Sequence, residues 1–134
     1  MKVGVTELLQ YLKENKVKVA LASSTRSQVV EQELQDAGIL DYFQVVVGGD
    51  MVERSKPQPD IFLKACEELG VAPSEAFAIE DSYNGIRAAA AGNLRALMVP
   101  DLMPPTQEMK ELSEAIFETL SDVKVYLSNL IDTE

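Results

Sequence analysis

The alternation of short apolar strands with amphipathic helices constrains the fold of this chain more than any other feature. Apolar and β-branched runs predict four strands, at Val17–Ala22, Phe43–Val47, Ala76–Ile79 and Ala96–Val99. A helical pattern precedes the first strand, and another separates each strand from the next. Strands joined through helices pair in parallel by right-handed crossovers, so the sequence predicts an α/β fold arranged as a three-layer sandwich.

The tail after the fourth strand carries two further helical patterns, and no linker or internal repeat interrupts the chain. One pattern runs through Met109, Leu112 and Ile116, and the other includes Val123 and Leu127. The predicted order is therefore α-β-α-β-α-β-α-β-α-α. A chain of 134 residues with 46% apolar residues is long enough to bury a core, so we expect a single domain over residues 1–134.

The composition excludes several classes of function. With 22 acidic and 12 basic residues, the formal charge is −10, which argues against binding to nucleic acid or to an anionic membrane. The absence of histidine excludes Ser-His-Asp chemistry and His-ligated metal sites. A lone cysteine, Cys66, the lack of a long apolar run and an N-terminus unlike a signal peptide lead us to expect a cytoplasmic protein.

Ligands of parallel α/β sheets bind beyond the carboxyl ends of the strands, and polar residues follow each predicted strand there. These segments are Ser23–Thr25, Gly48–Asp50, Glu80–Ser82 and Pro100–Asp101. Ser23 and Ser24 precede a helix predicted to start near Thr25, and a helix N-terminus favours an anion. The alternative is that a hydroxyl of this segment only caps the helix.

A lysine and an acidic pair lie on loops that lead to the same edge of the sheet. Pro57 favours an extended conformation at Lys56, whose ammonium could reach a phosphate; otherwise Lys56 is a solvated loop residue. Glu80 and Asp81 suit a hard cation such as Mg²⁺, although Asp81 or Ser82 could instead cap the next helix. Together, the hydroxyls, the lysine and the carboxylates predict one mouth that holds an anion beside a cation.

Three segments resemble successive motifs of the haloacid dehalogenase (HAD) superfamily, and of its β-phosphoglucomutase-like phosphatases in particular. They are Ala20–Ser24, Ser55–Phe62 and Ile79–Ile86, and the resemblance extends from about Gly4 to Asn129. It implies a Rossmann-like, HAD-like sheet and transfer of phosphoryl groups from small phosphomonoesters with Mg²⁺ as cofactor.

The resemblance also assigns roles to residues of the predicted mouth. It implies that Ser23 hydrogen-bonds the transferring phosphoryl group, that Lys56 offsets its charge, and that Asp81 with Glu80 holds Mg²⁺. Asp50 is a weaker candidate near the same mouth. The expected ligand is a small phosphorylated metabolite or inorganic phosphate.

The sequence departs from the family pattern at the first motif, the Asp-x-Asp that supplies the nucleophile and the general acid/base. No aspartate precedes Asp36, and the helical cap domain of this branch is also missing. We therefore expect an incomplete core domain without its first strand and without a cap, inactive or nearly so. The alternative is a non-catalytic remnant of the fold that binds a phosphate compound or a partner.

The family's strand order places the missing strand between the strand that ends at Ala22 and the one that ends at Ile79. Its removal leaves two buried edges whose N–H and C=O groups need partners. We expect either that these two strands pair directly or that another chain supplies the missing element. Of the two, we favour a homo-oligomer.

Overall fold

The computed structural model describes residues 3–100 and 104–132. Within them, helices and strands alternate along the chain as predicted. The helices are α1 (Val5–Glu14), α2 (Ser27–Asp36), α3 (Asp60–Leu69), α4 (Tyr83–Ala91), α5 (Gln107–Leu112) and α6 (Leu120–Asp132). The strands are β1 (Ala20–Ala22), β2 (Val45–Val47), β3 (Phe77–Glu80), β4 (Arg95–Met98) and β5 (Ala115–Ile116).

All strand pairs of this part of the chain are parallel, and they form two separate sheets. β1 pairs with β2, so that Ala20 lies opposite Val45. β3, β4 and β5 form a three-stranded sheet in that order. Hydrogen-bonded pairing does not join β1 to β3 within residues 3–100 and 104–132. Of the two expected arrangements, direct pairing of these strands is therefore not observed, and the favoured one, a strand supplied by another chain, stays a prediction.

Helices cover both faces of the strands, which confirms the three-layer α/β sandwich. Side chains of β4 alternate between the two faces, as in any strand. Ala96 and Met98 pack in a cluster with residues of α3, α4 and α5. Leu97 packs instead in a cluster with residues of α1 and α6. A third cluster packs α2 and Leu9 of α1 beside β1 and β2.

The principal difference from the predicted elements is the strand β5, which the sequence pattern assigned to a helix. Helix α5 ends at Leu112 because Ser113 adopts an extended conformation. The Glu114 amide then donates to the Ala96 carbonyl at 2.7 Å, and the Phe117 amide donates to Met98 at 2.8 Å. The strand was missed because two residues are too short to show a period of two.

None of the helices within the described part of the chain is long and apolar enough to cross a membrane.

Candidate functional site

A cleft of about 650 Å³ opens where the carboxyl ends of β1 and β3 face each other. Its walls contain all five residues predicted to bind phosphate or metal. The lining residues are Ala22, Ser23, Ser24, Lys56, Glu80, Asp81, Ser82, Tyr83, Asn84 and Arg87. Asp50 is not among them, and Asp101 lies outside the described residues. The cleft thus brings together the hydroxyls that follow β1, the loop lysine and the acidic pair at the end of β3.

Lys56 forms an ion pair with Glu80 inside the cleft. The lysine Nζ lies 3.2 Å from Oε1 and 3.4 Å from Oε2 of the carboxylate. Both side chains are largely buried, with 13% and 14% of their surfaces exposed. The Lys56 ammonium also lies 5.2 Å from the ring centroid of Phe62. The solvated-loop alternative therefore does not describe Lys56, whose charge is held in the cleft.

Burial raises the pKa of the Glu80 carboxyl above its ordinary value, and the nearby Asp81 charge raises it further. The attraction of Lys56 acts in the opposite direction but does not cancel the effect of burial. Glu80 also lies over the first turn of α4, where a Cβ on Gly85 would come within 1.5 Å of its Oε1. Glycine at position 85 thus provides the space that the carboxylate occupies.

Ser82, rather than Asp81, caps helix α4. Its Oγ accepts a hydrogen bond from the Gly85 amide at 3.0 Å, so the capping alternative holds for this serine. Asp81 is exposed on the cleft wall, and its carboxylate makes no hydrogen bond or ion pair with any described residue. The cleft therefore offers one unengaged carboxylate next to the Lys56–Glu80 pair.

The described residues do not by themselves form a complete magnesium site. Residues 3–100 and 104–132 contain no group of three or more acidic, His or Cys side chains placed to hold a metal ion. The Glu80 carboxylate is engaged by Lys56, which leaves Asp81 as the available ligand. Since Mg²⁺ in proteins commonly binds one or two carboxylates, waters and substrate phosphate, Asp81 satisfies only part of that requirement.

The loop after β1 differs from the predicted helix N-terminus. Helix α2 begins at Ser27 rather than near Thr25, and its N-cap residue Arg26 makes no side-chain capping bond. The Ser27 amide is engaged by the Asp50 carboxylate at 2.7 Å. The Ser23 Oγ accepts a hydrogen bond from the Thr25 amide at 3.1 Å. The first amide of α2 is therefore engaged by Asp50, and Ser23 and Ser24 line the cleft instead.

Three further cleft residues were not predicted from the sequence: Tyr83, Asn84 and Arg87. Arg87 binds Glu108 of α5 through Nε at 2.9 Å and Nη2 at 2.6 Å, and its Nη1 donates to Asn84 at 3.0 Å. The Tyr83 hydroxyl donates to the Pro104 carbonyl. The spacing of Tyr83 and Arg87, four residues apart at the start of α4, is the signal that could have placed both on the face nearest the cleft.

Comparison with known proteins decides the family. The model of the haloacid dehalogenase-like hydrolase family matches residues 1–99. The chain belongs to this family. It is 36% identical over 94 residues to a phosphorylated carbohydrates phosphatase of Thermotoga maritima, covering 70% of this chain and 44% of that protein.

Solved structures of the family share the fold. The crystal structure of CbbY from Rhodobacter sphaeroides in complex with phosphate is 30% identical with a TM-score of 0.82, covering 91% of this chain and 55% of that chain. A β-phosphoglucomutase from Clostridium difficile is 25% identical with a TM-score of 0.82, covering 99% of this chain and 57% of that chain. The similarity to the β-phosphoglucomutase-like phosphatases is thereby confirmed. The chain spans about half the length of these relatives.

Proposed function

We propose that this chain carries the phosphate-binding part of a phosphatase or phosphomutase that acts on small phosphomonoesters. The observation that carries the proposal is the cleft itself, in which Ser23, Ser24 and Lys56 converge beside the acidic pair. A hydroxyl and an ammonium are suited to hydrogen-bond a phosphoryl group and to offset its charge. The relative whose crystal structure contains phosphate has the same fold, which supports the same ligand class here.

Within the proposed site, Ser23 and Ser24 orient the phosphoryl oxygens and Lys56 stabilises their negative charge. These groups stabilise a transferring phosphoryl group, because their electrostatic contribution grows as charge develops on its oxygens. None of them is an effective nucleophile. The chain has no histidine to activate Ser23, and Lys56 is paired with Glu80.

Binding of inorganic phosphate tests the proposal. We expect ¹⁵N-labelled protein titrated with phosphate to show shifts centred on the amides of Ser23, Ser24 and Lys56, with a Kd on the order of millimolar. Ser23→Ala should weaken binding severalfold. Lys64→Ala should not, because Lys64 lies on α3 in an ion pair with Glu68. Spectra unchanged at tens of millimolar phosphate, or equal binding by Ser23→Ala, would contradict the proposal.

Magnesium binding is proposed to be weak and to depend on Asp81. A bound Mg²⁺ would supply charge neutralisation next to the phosphate, and Asp81 is the carboxylate that could contact it directly. The predicted role of Glu80 as a second ligand stays a prediction. Its ion pair with Lys56 instead supports a role in orienting that lysine.

We further propose that a second copy of this chain completes the sheet between β1 and β3. The Ser23 amide donates to the Val47 carbonyl of β2, and the Glu80 carbonyl accepts from the Val99 amide. Backbone groups of successive residues in a strand point to opposite sides, so those of Ala22 point away from β2 and those of Ile79 point away from β4. Such open edges favour pairing with an added strand. Sedimentation should therefore show concentration-dependent association. Hydrogen exchange at the amides of Ala22 and Ile79 should be slower in the associated form. A protein that stays monomeric at millimolar concentration would exclude this arrangement.

A non-catalytic role is the second candidate function. Two carboxylates lie among the described cleft residues, and Lys56 holds that of Glu80 in an ion pair. Asp81 is the one left unpaired, and this shortage of free carboxylates favours a non-catalytic role. In this case the cleft binds a phosphate compound without turning it over. Both candidates require phosphate at Ser23 and Lys56, and they differ in whether the ester is cleaved.

A further inference from the structure

Asp50 lies behind the loop that carries Ser23 and Ser24, and both of its carboxylate oxygens are engaged by one residue. Oδ1 accepts the Ser27 amide hydrogen at 2.7 Å, and Oδ2 accepts the Ser27 hydroxyl at 2.9 Å. Because the N-cap residue of α2 makes no side-chain bond of its own, Asp50 supplies the cap from the end of a neighbouring strand.

The backbone around Asp50 holds the same loop at close range. The Gly49 amide donates to the Thr25 carbonyl at 2.9 Å. A Cβ on Gly48 would lie 2.2 Å from the Ser27 nitrogen, and one on Gly49 would lie 2.3 Å from the Ser24 carbonyl oxygen. Only residues without a side chain can approach this closely. The segment 48–50 thus fixes the conformation of residues 24–27.

We propose that Asp50 is a positioning residue for the phosphate site. By tying Ser27 to the end of β2, it holds the preceding Ser23 and Ser24 in the orientation in which they face the cleft. This inference rests on the proposed function, because it concerns the same anion site. Hydrogen bonds from Ser27 lower the pKa of the Asp50 carboxyl, which keeps it ionised as the acceptor of both bonds.

The sign of a mutational effect separates positioning from simple charge repulsion. Asp50 is a negative charge near an anion site, so if only its charge mattered, removing it would strengthen phosphate binding. If Asp50 positions the loop, removing it weakens binding. We expect Asp50→Ala to raise the Kd for inorganic phosphate about tenfold, with Asp50→Asn intermediate because its amide oxygen can still accept one bond.

Glu53→Gln is the matched control, since it removes a negative charge from an exposed residue of the same loop. This variant should bind phosphate as tightly as the wild type, or more tightly. Ser27→Ala should reproduce part of the Asp50→Ala effect, and the double variant should add little to Asp50→Ala because the two residues share their bonds. Tighter phosphate binding by Asp50→Ala would overturn the proposal.

A second measurement does not depend on phosphate. Amide hydrogen exchange at residues 23–27 should be at least severalfold faster in Asp50→Ala than in the wild type and unchanged in Glu53→Gln. Unchanged exchange in Asp50→Ala would overturn the positioning role, whether or not phosphate binds. Exchange can become faster in Asp50→Ala as expected while the spectra of the wild type do not respond to phosphate. In that case the proposed function fails, and so does the role of Asp50 at the anion site.

Discussion

Lys56→Met should lower the free energy of unfolding by about 3 kcal/mol at neutral pH, because it leaves Glu80 buried without its partner. The Glu80 side chain is 14% exposed, so water can replace little of the lost interaction. Methionine retains most of the apolar length of the lysine and can still pack near Phe62. The measurement is chemical denaturation of both proteins at several pH values.

The pH dependence of this effect has a definite sign. The pKa of the Glu80 carboxyl is raised in the folded protein. Glu80 therefore contributes most to stability at a pH below the pKa it has in the unfolded chain, about 4.3, and this contribution is lost as the pH rises. Removing Lys56 takes away an interaction that lowers this pKa, so the pKa rises further. The difference between Lys56→Met and the wild type should therefore be small in mild acid and should grow towards neutral pH.

Two companion variants control for the lost lysine and for the buried charge. Lys64→Met removes a lysine from the more exposed pair with Glu68 and should cost well under 1 kcal/mol. Adding Glu80→Gln to Lys56→Met removes the unpaired charge and should restore part of the stability. A loss that is independent of pH, or equal in both lysine variants, would show that the Lys56–Glu80 pair does not behave as a buried pair.

Gly85→Ala should destabilise the protein by about 2 kcal/mol, although alanine at a helical glycine ordinarily stabilises by up to about 1 kcal/mol. The new methyl group would meet the Glu80 carboxylate at 1.5 Å, so either Glu80 or the start of α4 must move. Movement of Glu80 would also separate it from Lys56 and weaken phosphate binding. Thermal denaturation and the phosphate titration measure the two effects.

The double variant Glu80→Ala/Gly85→Ala isolates the steric cause. Without the carboxylate the methyl group has space, so adding Gly85→Ala to Glu80→Ala should cost little stability, whereas adding it to the wild type should cost about 2 kcal/mol. Phosphate binding should stay weak, because Lys56 still lacks its orienting partner. If Gly85→Ala alone stabilises the protein, Glu80 does not occupy the space above this glycine.

Much of the fold could be predicted from the sequence because apolar periodicity and strand-helix alternation are local signals. The three layers and four of the strands follow from them. Strand β5 does not, because its two residues acquire their role only by pairing with β4. The separation of β1 from β3 also depends on tertiary structure, since the sequence pattern left direct pairing open beside the favoured pairing with another chain.

The candidate site was predictable at the level of which residues meet, and less so at the level of what each one contacts. Position after a strand was enough to place Ser23 and Asp81 around one cleft, and the loop that carries Lys56 was expected at the same edge of the sheet. The engagement of Glu80 by Lys56 depends on burial and on the space above Gly85, which no local pattern reveals. Capping of α2 by Asp50 likewise joins residues from two different strand ends.

We propose that the cleft stabilises a phosphoryl group, while its described residues do not supply a nucleophile that attacks phosphorus. Turnover of an aryl phosphate with Mg²⁺ tests this most directly, in the wild-type chain, Lys56→Ala and Asp81→Ala. We expect background hydrolysis in all three, since Glu80 is held by Lys56, Ser23 has no activating base, and Asp81 is proposed to contact Mg²⁺ rather than to attack phosphorus. Substantial wild-type turnover that is lost in both variants would contradict it, because a nucleophile would then already be present in the assembled protein.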